Sequence, residues 1–309
     1  MKHDEALPDQ LASFLEQDGV VIFLFHGVIE KHNHPVRNYT GKHLEKKLFE
    51  SCIRQLAHAG KALSMVQVLE HCRNQCPFPP QSYAITFDDG FENNLTIAAP
   101  ILQKWQTPAM VYLTTSFIEE NRMSWIDRIE RAVEETLEKK IRLEGENLFF
   151  SLDTPKEKIV FLKAVRTYAK NNPACDPGKM ADRICQELRD HGSDQSNDPL
   201  DQKLSWKQIR EARKSGLLDF GGHSHTHKIL SFLASDQLAQ ELDNSFALLR
   251  NRAEIGPEHY SYPEGLAHCF NGEVIDALQQ RGVKCCPTAM AGVNRPSADP
   301  FRLCRILVA

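Results

Sequence analysis

Tyr83-Ala84-Ile85-Thr86-Phe87-Asp88-Asp89-Gly90 is a short, mostly apolar run that ends abruptly in two acids and a glycine. Such a run, bounded by turn residues, reads as a parallel strand buried on both faces, and the acids mark where the chain leaves the sheet. Three other runs repeat the pattern: Val20–Phe25 before His26-Gly27, Ala109–Leu113 before Thr114-Thr115, and residues 218–220 before Gly221-Gly222. Between them, residues 44–58, 95–105, 206–214 and 237–250 repeat apolar side chains at three- or four-residue spacing and predict helices. Alternation of this kind implies β-α units around a parallel sheet, either closed as a barrel or open and doubly wound.

Both architectures place their working residues at the carboxyl ends of the strands. His26, the Asp88-Asp89 pair and a histidine cluster after Gly222 all fall there. The final segment, residues 302–308, is expected to close or edge the sheet. Residues 118–204 interrupt the alternation with helical stretches, a hairpin around Glu144-Gly145-Glu146-Asn147 and a polar loop over residues 192–199. The expectation is one domain over residues 1–309, carrying this mainly helical insertion.

Composition narrows the class of function. The chain has 309 residues, 41% of them hydrophobic and 25% charged, with a net charge of -4, so an electrostatic nucleic-acid binder is excluded. The first residues lack the basic and apolar regions of a secretory signal, and Val20–Phe25 is too short to span a bilayer. Nine cysteines, without small-scaffold spacing, suit free thiols in a reducing compartment, and a cytoplasmic location is expected. Cys72 and Cys76 beside His71 lack the second ligand pair of a structural zinc site and read as incidental thiols. Cys285-Cys286 reads as two small core hydrophobes.

The chemistry concentrates in two stretches. Adjacent side chains on a strand point to opposite faces, but at a strand-to-turn junction with Gly90 both Asp88 and Asp89 can reach one cavity. In His223-Ser224-His225-Thr226-His227 the outer histidines are four apart, a spacing that predicts one face of a helical turn, with His225 pointing elsewhere. Two imidazoles and one carboxylate can hold a divalent metal and leave positions for water and a substrate oxygen. A second carboxylate nearby can then serve as general base. Zinc is the first expectation, and the same donor set accommodates Co, Ni, Fe or Mn.

Thr86-Phe87-Asp88-Asp89-Gly90 and His223-Ser224-His225-Thr226-His227 resemble the first and second motifs of the polysaccharide deacetylases, carbohydrate esterase family 4 with the NodB-homology domain. The resemblance implies a deformed (β/α) barrel and metal-dependent removal of N- or O-acetyl groups from a sugar or polysaccharide. It also implies Asp88 as base and Asp89, His223 and His227 as metal ligands. Leu24-Phe25-His26-Gly27-Val28 and Ser124-Trp125-Ile126-Asp127-Arg128 resemble segments of one family branch, which would set Trp125 and Asp127 against the sugar. A packing Trp and a capping Asp explain the second segment equally well.

Tyr260-Ser261-Tyr262-Pro263-Glu264-Gly265 resembles the third motif, a loop whose backbone N–H helps bind the oxyanion, here over Tyr262-Pro263-Glu264-Gly265. Ser261 stands where the family often has arginine and Glu264 where it often has tyrosine. Leu303-Cys304-Arg305 resembles the family's Leu-x-His motif with Arg305 in place of the acid histidine. A guanidinium stays protonated, so Arg305 is expected to orient or to act electrostatically rather than donate a proton. His26 is the preferred substitute acid, with His268 behind it. The rival readings are a deformylase of a formamido sugar, a non-catalytic carbohydrate-binding relative, and a glycosidase, for which adjacent acids are poorly placed to flank a sugar.

Overall fold

The computed structural model describes residues 2–143, 148–190, 192 and 194–309. The chain divides into two compact units, one comprising Met1–Lys31, Lys42–Asn121 and Lys203–Ala309, the other His32–Gly41 and Arg122–Gln202.

The first unit is built on a parallel sheet in the order Ile306–Leu307, Val20–Phe25, Ser82–Phe87, Ala109–Leu113, Leu218–Gly222, with Lys61–Ala62 paired to the start of Ser82–Phe87. All four strands read from the sequence are present, and the C-terminal segment supplies the strand beside Val20–Phe25. Beyond Leu218–Gly222 the parallel succession continues through irregular segments. Gly222 bridges Tyr260, His259 bridges Cys285, and the Thr288 N–H donates to the Leu303 carbonyl, leading back to Ile306–Leu307. This is the deformed (β/α) barrel: regular strands on one side, bridged loops on the other.

Strand alternation explains why the runs are apolar throughout. Val21, Phe23 and Phe25 face outward onto a helix-covered core with Phe49, Ile53 and Leu56, whereas Val20 and Ile22 face an inner core with Ala84, Met110, Tyr112, Cys285 and Leu303. Each such fully buried side chain contributes roughly 1.5–3 kcal/mol of transfer free energy, so a polar residue on either face would be disfavoured. The outer helices include Lys46–Ala59, Trp206–Arg213 and Ser235–Ala253. Ser205 and Gln208 form a reciprocal capping box at the start of Trp206–Arg213, which fixes where that helix begins. The predicted helix over 95–105 is instead a π-helical stretch, Asn94–Ala98, running into Ala99–Lys104, with Pro100 in its first turn.

The second unit packs Trp125–Glu135, Pro155–Asn171 and Pro177–Glu187 around Ile129, Val133, Phe161, Leu162 and Val165. It takes in more than the stretch marked out from the sequence, because residues 32–41 belong to it. Glu134 accepts from the Val36 and Arg37 N–H groups, and Val36 is buried in its core. Lys140–Leu143 and Leu148–Ser151 pair antiparallel, while the expected turn at Glu144-Gly145-Glu146-Asn147 lies outside the described residues. No helix among the described residues is long and apolar enough to cross a membrane. No disulfide joins any of the nine cysteines, all of which lie among the described residues.

Candidate metal centre and the buried acid beside it

Register brings the chemistry together. Phe25 and Phe87 are paired, so His26 and Asp88 leave the sheet side by side, and the Asp88 N–H still donates to the Phe25 carbonyl (3.0 Å). Asp89 and Gly90 then both adopt left-handed backbone, at φ 72° and 73°. That conformation costs an L-residue such as Asp89 roughly 1–2 kcal/mol and is the kind of strain that collects at functional sites. It turns both carboxylates toward one cavity, as the junction with Gly90 predicts. The left-handed backbone favours glycine at position 90, and a Cβ there would also press on the side-chain ends of Leu113 (2.8 Å) and Ile118 (2.9 Å).

The two outer histidines converge, but not by the predicted helical turn. Residues 223–229 form a bent loop in which Ser224 (φ 64°) and His227 (φ 60°) are left-handed. The Ser224 hydroxyl accepts from the His227 N–H at 2.8 Å, a side-chain turn that competes with helix. The rings nonetheless lie 4.9 Å apart. His225 turns away, with Nδ1 3.0 Å from the Thr115 hydroxyl.

Asp89, His223 and His227 each present one ligand atom, all within 4.8 Å of one another. The His227 Nε2 is 3.3 Å and the His223 Nε2 3.8 Å from Asp89 Oδ1, near the separation of about 3.4 Å between donors on a tetrahedral ion. Asp89 Oδ1 is buried with no hydrogen-bond partner, a state a cation would relieve. His223 Nδ1 donates to the Ser261 carbonyl at 2.9 Å, which leaves Nε2 as the lone-pair nitrogen facing Asp89. Burial, only partly offset by Asp88 and Asp89, lowers the His223 pKa and keeps the ring in the neutral, ligand form. The residues present therefore fit a divalent metal.

Asp88 has a different environment. Arg305 grips it with Nη1 to Oδ1 at 2.9 Å and Nη2 to Oδ2 at 2.8 Å, both side chains being buried. The guanidinium also donates to the Thr288 carbonyl (2.6 Å), the Thr86 hydroxyl (3.3 Å) and the Ser261 hydroxyl (2.8 Å), so each of its five donors has an acceptor. Burial raises the Asp88 pKa, but Arg305, His223 and His26 outweigh it and hold the carboxyl below its usual range. Arg305, expected from the sequence to orient or to act electrostatically, thus orients Asp88 from 217 positions away. Arg305 enters the space beside Ser261 and meets Asp88 there.

His26 is half-buried, with Nδ1 buried and lacking a hydrogen-bond partner among the described residues. Burial drives its pKa down to about 4 against the pull of Asp89 and Asp88. In the metal-free protein the unfolded chain therefore takes up a proton near pH 6.5 that the folded chain refuses. Stability is full above pH 6.5 and falls as pH drops toward 4, by at most about 3 kcal/mol and less where solvent screens the ring. Urea unfolding at pH 7, 5.5 and 4.5 should show this loss, flattened in His26→Asn; equal slopes in the two proteins would contradict the assignment.

Other predicted site residues fare differently. The Tyr262 ring is fully buried, stacks on Phe270 at 4.4 Å and donates its hydroxyl to the Phe301 carbonyl, so its side chain is a core element, not a substrate contact. The Gly265 N–H is spent on the Pro263 carbonyl at 2.7 Å, which removes it from the oxyanion donors. Its role is steric: at φ 61°, a Cβ would lie 2.6 Å from the Ala289 nitrogen. Pro263 carries no N–H, and Glu264 is left-handed at φ 60°. Trp125 and Asp127 belong to the second unit, where Trp125 packs against its core and the Asp127 N–H is capped by Ser124. His268 sits exposed against Phe232, at 6.0 Å between rings.

Sequence reasoning missed Thr86, Ser261 and Thr288 as acceptors for Arg305, and Glu241, whose carboxylate binds the loop between the histidines. A signal for Glu241 was present: it interrupts a buried helical stripe of Leu238, Leu242, Ser245 and Leu249.

A deformed barrel with acids and imidazoles gathered at the carboxyl ends of its strands defines a barrel enzyme whose chemistry lies on that face. The family model for polysaccharide deacetylase matches residues 76–147 and 163–286, and the chain belongs to that family. His26 and Arg305 lie outside the matched ranges. A poly-beta-1,6-N-acetyl-D-glucosamine N-deacetylase of Staphylococcus epidermidis is 31% identical over 114 residues, covering 34% of this chain and only 38% of that relative. Among solved structures, the Streptococcus pyogenes deacetylase PplD in complex with acetate aligns over 94% of this chain and 92% of its own, with TM-score 0.61 and 15% identity. IcaB from Ammonifex degensii aligns over 95% and 93%, with TM-score 0.59 and 17% identity. These structural likenesses show the fold.

Proposed function

We propose that this protein is a divalent-metal-dependent hydrolase that removes the acetyl group from an N-acetylated amino sugar in a glycan or glycan precursor. The observation that carries the reading is the division of labour between adjacent acids: Asp89 faces two imidazoles, and Asp88 is held ionised by Arg305. Asp89, His223 and His227 would hold the metal, which when bound acidifies water and polarises the acyl carbonyl. Asp88, fixed by the guanidinium fork, takes the proton from the attacking water. The Glu264 N–H is the loop donor proposed for the oxyanion. The C–N bond then breaks as the leaving nitrogen takes up the proton that Asp88 removed from water, with His26, neutral in the folded protein near pH 7, relaying that proton rather than supplying one of its own. The products are acetate and the free sugar amine.

The name of the Staphylococcus epidermidis relative makes a β-1,6-linked N-acetylglucosamine oligomer the first substrate to assay. Nine cysteines without a disulfide favour a reducing compartment, where a small glycoconjugate precursor would be the accessible substrate.

Metal removal tests the reading. Dialysis against a chelator should abolish acetate release from acetylated oligosaccharides, zinc or cobalt should restore it, and His227→Ala should bind metal at least about 10-fold more weakly. Undiminished release from chelated protein, or none from a broad panel with metal supplied, would overturn it.

A further inference from the structure

We infer that Glu241 is a positioning residue that holds His227 at metal-binding distance from His223 by clamping the turn between them. The inference rests on the metal centre proposed above and concerns what keeps that centre in shape.

Glu241 lies on Ser235–Ala253 and is buried on the same helix face as Leu238 and Leu242. A buried carboxylate on an apolar face is unfavourable unless hydrogen bonds replace its water. Here all the replacements come from one short turn. Glu241 Oε1 accepts from the His225 N–H (2.9 Å) and the Thr226 N–H (2.5 Å), and the Thr226 hydroxyl lies 3.0 and 2.8 Å from the two oxygens.

The two histidines are secured differently. His223 is tied to the barrel itself: its N–H donates to the Leu113 carbonyl (2.9 Å), its carbonyl accepts from Thr114 (3.1 Å), and its ring donates to the Ser261 carbonyl (2.9 Å). None of these bonds involves Glu241. His227 hangs from the turn, with its N–H on the Ser224 hydroxyl and its backbone left-handed. On the carbonyl side, Ser224 and His225 accept from the Thr115 and Ser116 N–H groups at 3.1 and 2.9 Å. On the donor side, the His225 and Thr226 N–H groups both go to Glu241. Without the carboxylate, two inward amides lose their acceptor, and the left-handed residues have less to hold them. The turn then relaxes, and His227 is the ligand that moves.

The test is metal affinity of the full chain, measured by zinc titration calorimetry, together with the visible spectrum of the cobalt form and the thermal unfolding of metal-free protein. Glu241→Ala should weaken zinc binding about 10–100-fold and alter the cobalt spectrum, while far-UV circular dichroism keeps its parent form. Glu241→Gln retains an acceptor oxygen for the turn and should lose less. Ser245→Ala, one turn along the same helix face, is the control: it should change stability without changing affinity. Parent-level affinity and spectrum in folded Glu241→Ala would overturn the inference, as would an equal affinity loss in Ser245→Ala. If Glu241→Ala does not fold, Glu241→Gln and Thr226→Val decide, and parent-level affinity in both overturns it. A parent protein that binds neither metal overturns the metal-centre reading itself, and this inference with it.

Discussion

Asp88→Asn is expected to lower kcat for acetate release by about 10²–10⁴, the range for losing a positioned general base. The three proposed ligand atoms belong to Asp89, His223 and His227, so metal content measured by elemental analysis should stay at the parent level. The substitution is nearly isosteric, but it is not neutral for its neighbour. An amide nitrogen in place of one carboxylate oxygen would face a guanidinium nitrogen at about the observed 2.8–2.9 Å, donor against donor, beside an Arg305 that keeps its charge. A drop in stability should therefore accompany the drop in rate, and the assay belongs well below the variant's unfolding temperature. Acetate release within tenfold of the parent, with the protein folded and metal-loaded, would remove Asp88 from the role of base.

Arg305→Met should be the most destabilising single substitution at the site. It leaves the Asp88 carboxylate buried without its partner, a change that costs roughly 3–5 kcal/mol in comparable buried pairs. The net worth of the pair is a separate quantity, since desolvation of both ions offsets much of their attraction. Asp88→Leu combined with Arg305→Met should consequently recover most of the lost stability while remaining inactive. Arg305→Lys should fall between, because an ammonium offers three donors where five acceptors are arranged for a planar fork. Thermal unfolding of the four proteins checks this. An Arg305→Met protein as stable and as active as the parent would show that the fork neither supports the fold nor orients the acid.

The same pair shows why part of the site could not be read from sequence. Arg305 and Asp88 are 217 positions apart, and nothing in Leu303-Cys304-Arg305 says which carboxylate the guanidinium will meet. A position-by-position reading saw two separate departures, a serine at 261 and an arginine at 305. In three dimensions they are one arrangement, because the Ser261 hydroxyl and Asp88 share a nitrogen of Arg305. The histidine loop shows the opposite limit. Spacing paired His223 with His227 and set His225 aside, and the structure does bring the outer two rings together, yet not on the helix that the spacing predicted. The turn is set instead by two left-handed residues, Ser224 and His227, and by bonds to Thr115, Ser116 and Glu241, which a periodicity argument does not sense. Tyr262 failed for a related reason: an aromatic ring next to a functional loop can as well be core, and burial against Phe270 decides it.

Local rules were sufficient where the determinant is local. The apolar runs fixed the parallel strands, because a strand buried on both faces must be apolar on both, and the polar residues after each run marked the candidate site at the strand ends. The Asp-Asp-Gly turn and the outer histidines supplied the donor types for a metal. Tertiary structure alone decided how those donors are oriented and held. It chose which segments complete the barrel beyond Leu218–Gly222, assigned residues 32–41 to the second unit, and brought Arg305 to Asp88 and Glu241 to the histidine loop. The physical reason is that buried charges and strained turns are stabilised by whatever partners the packed core delivers, and those partners are selected by distance in space rather than along the chain.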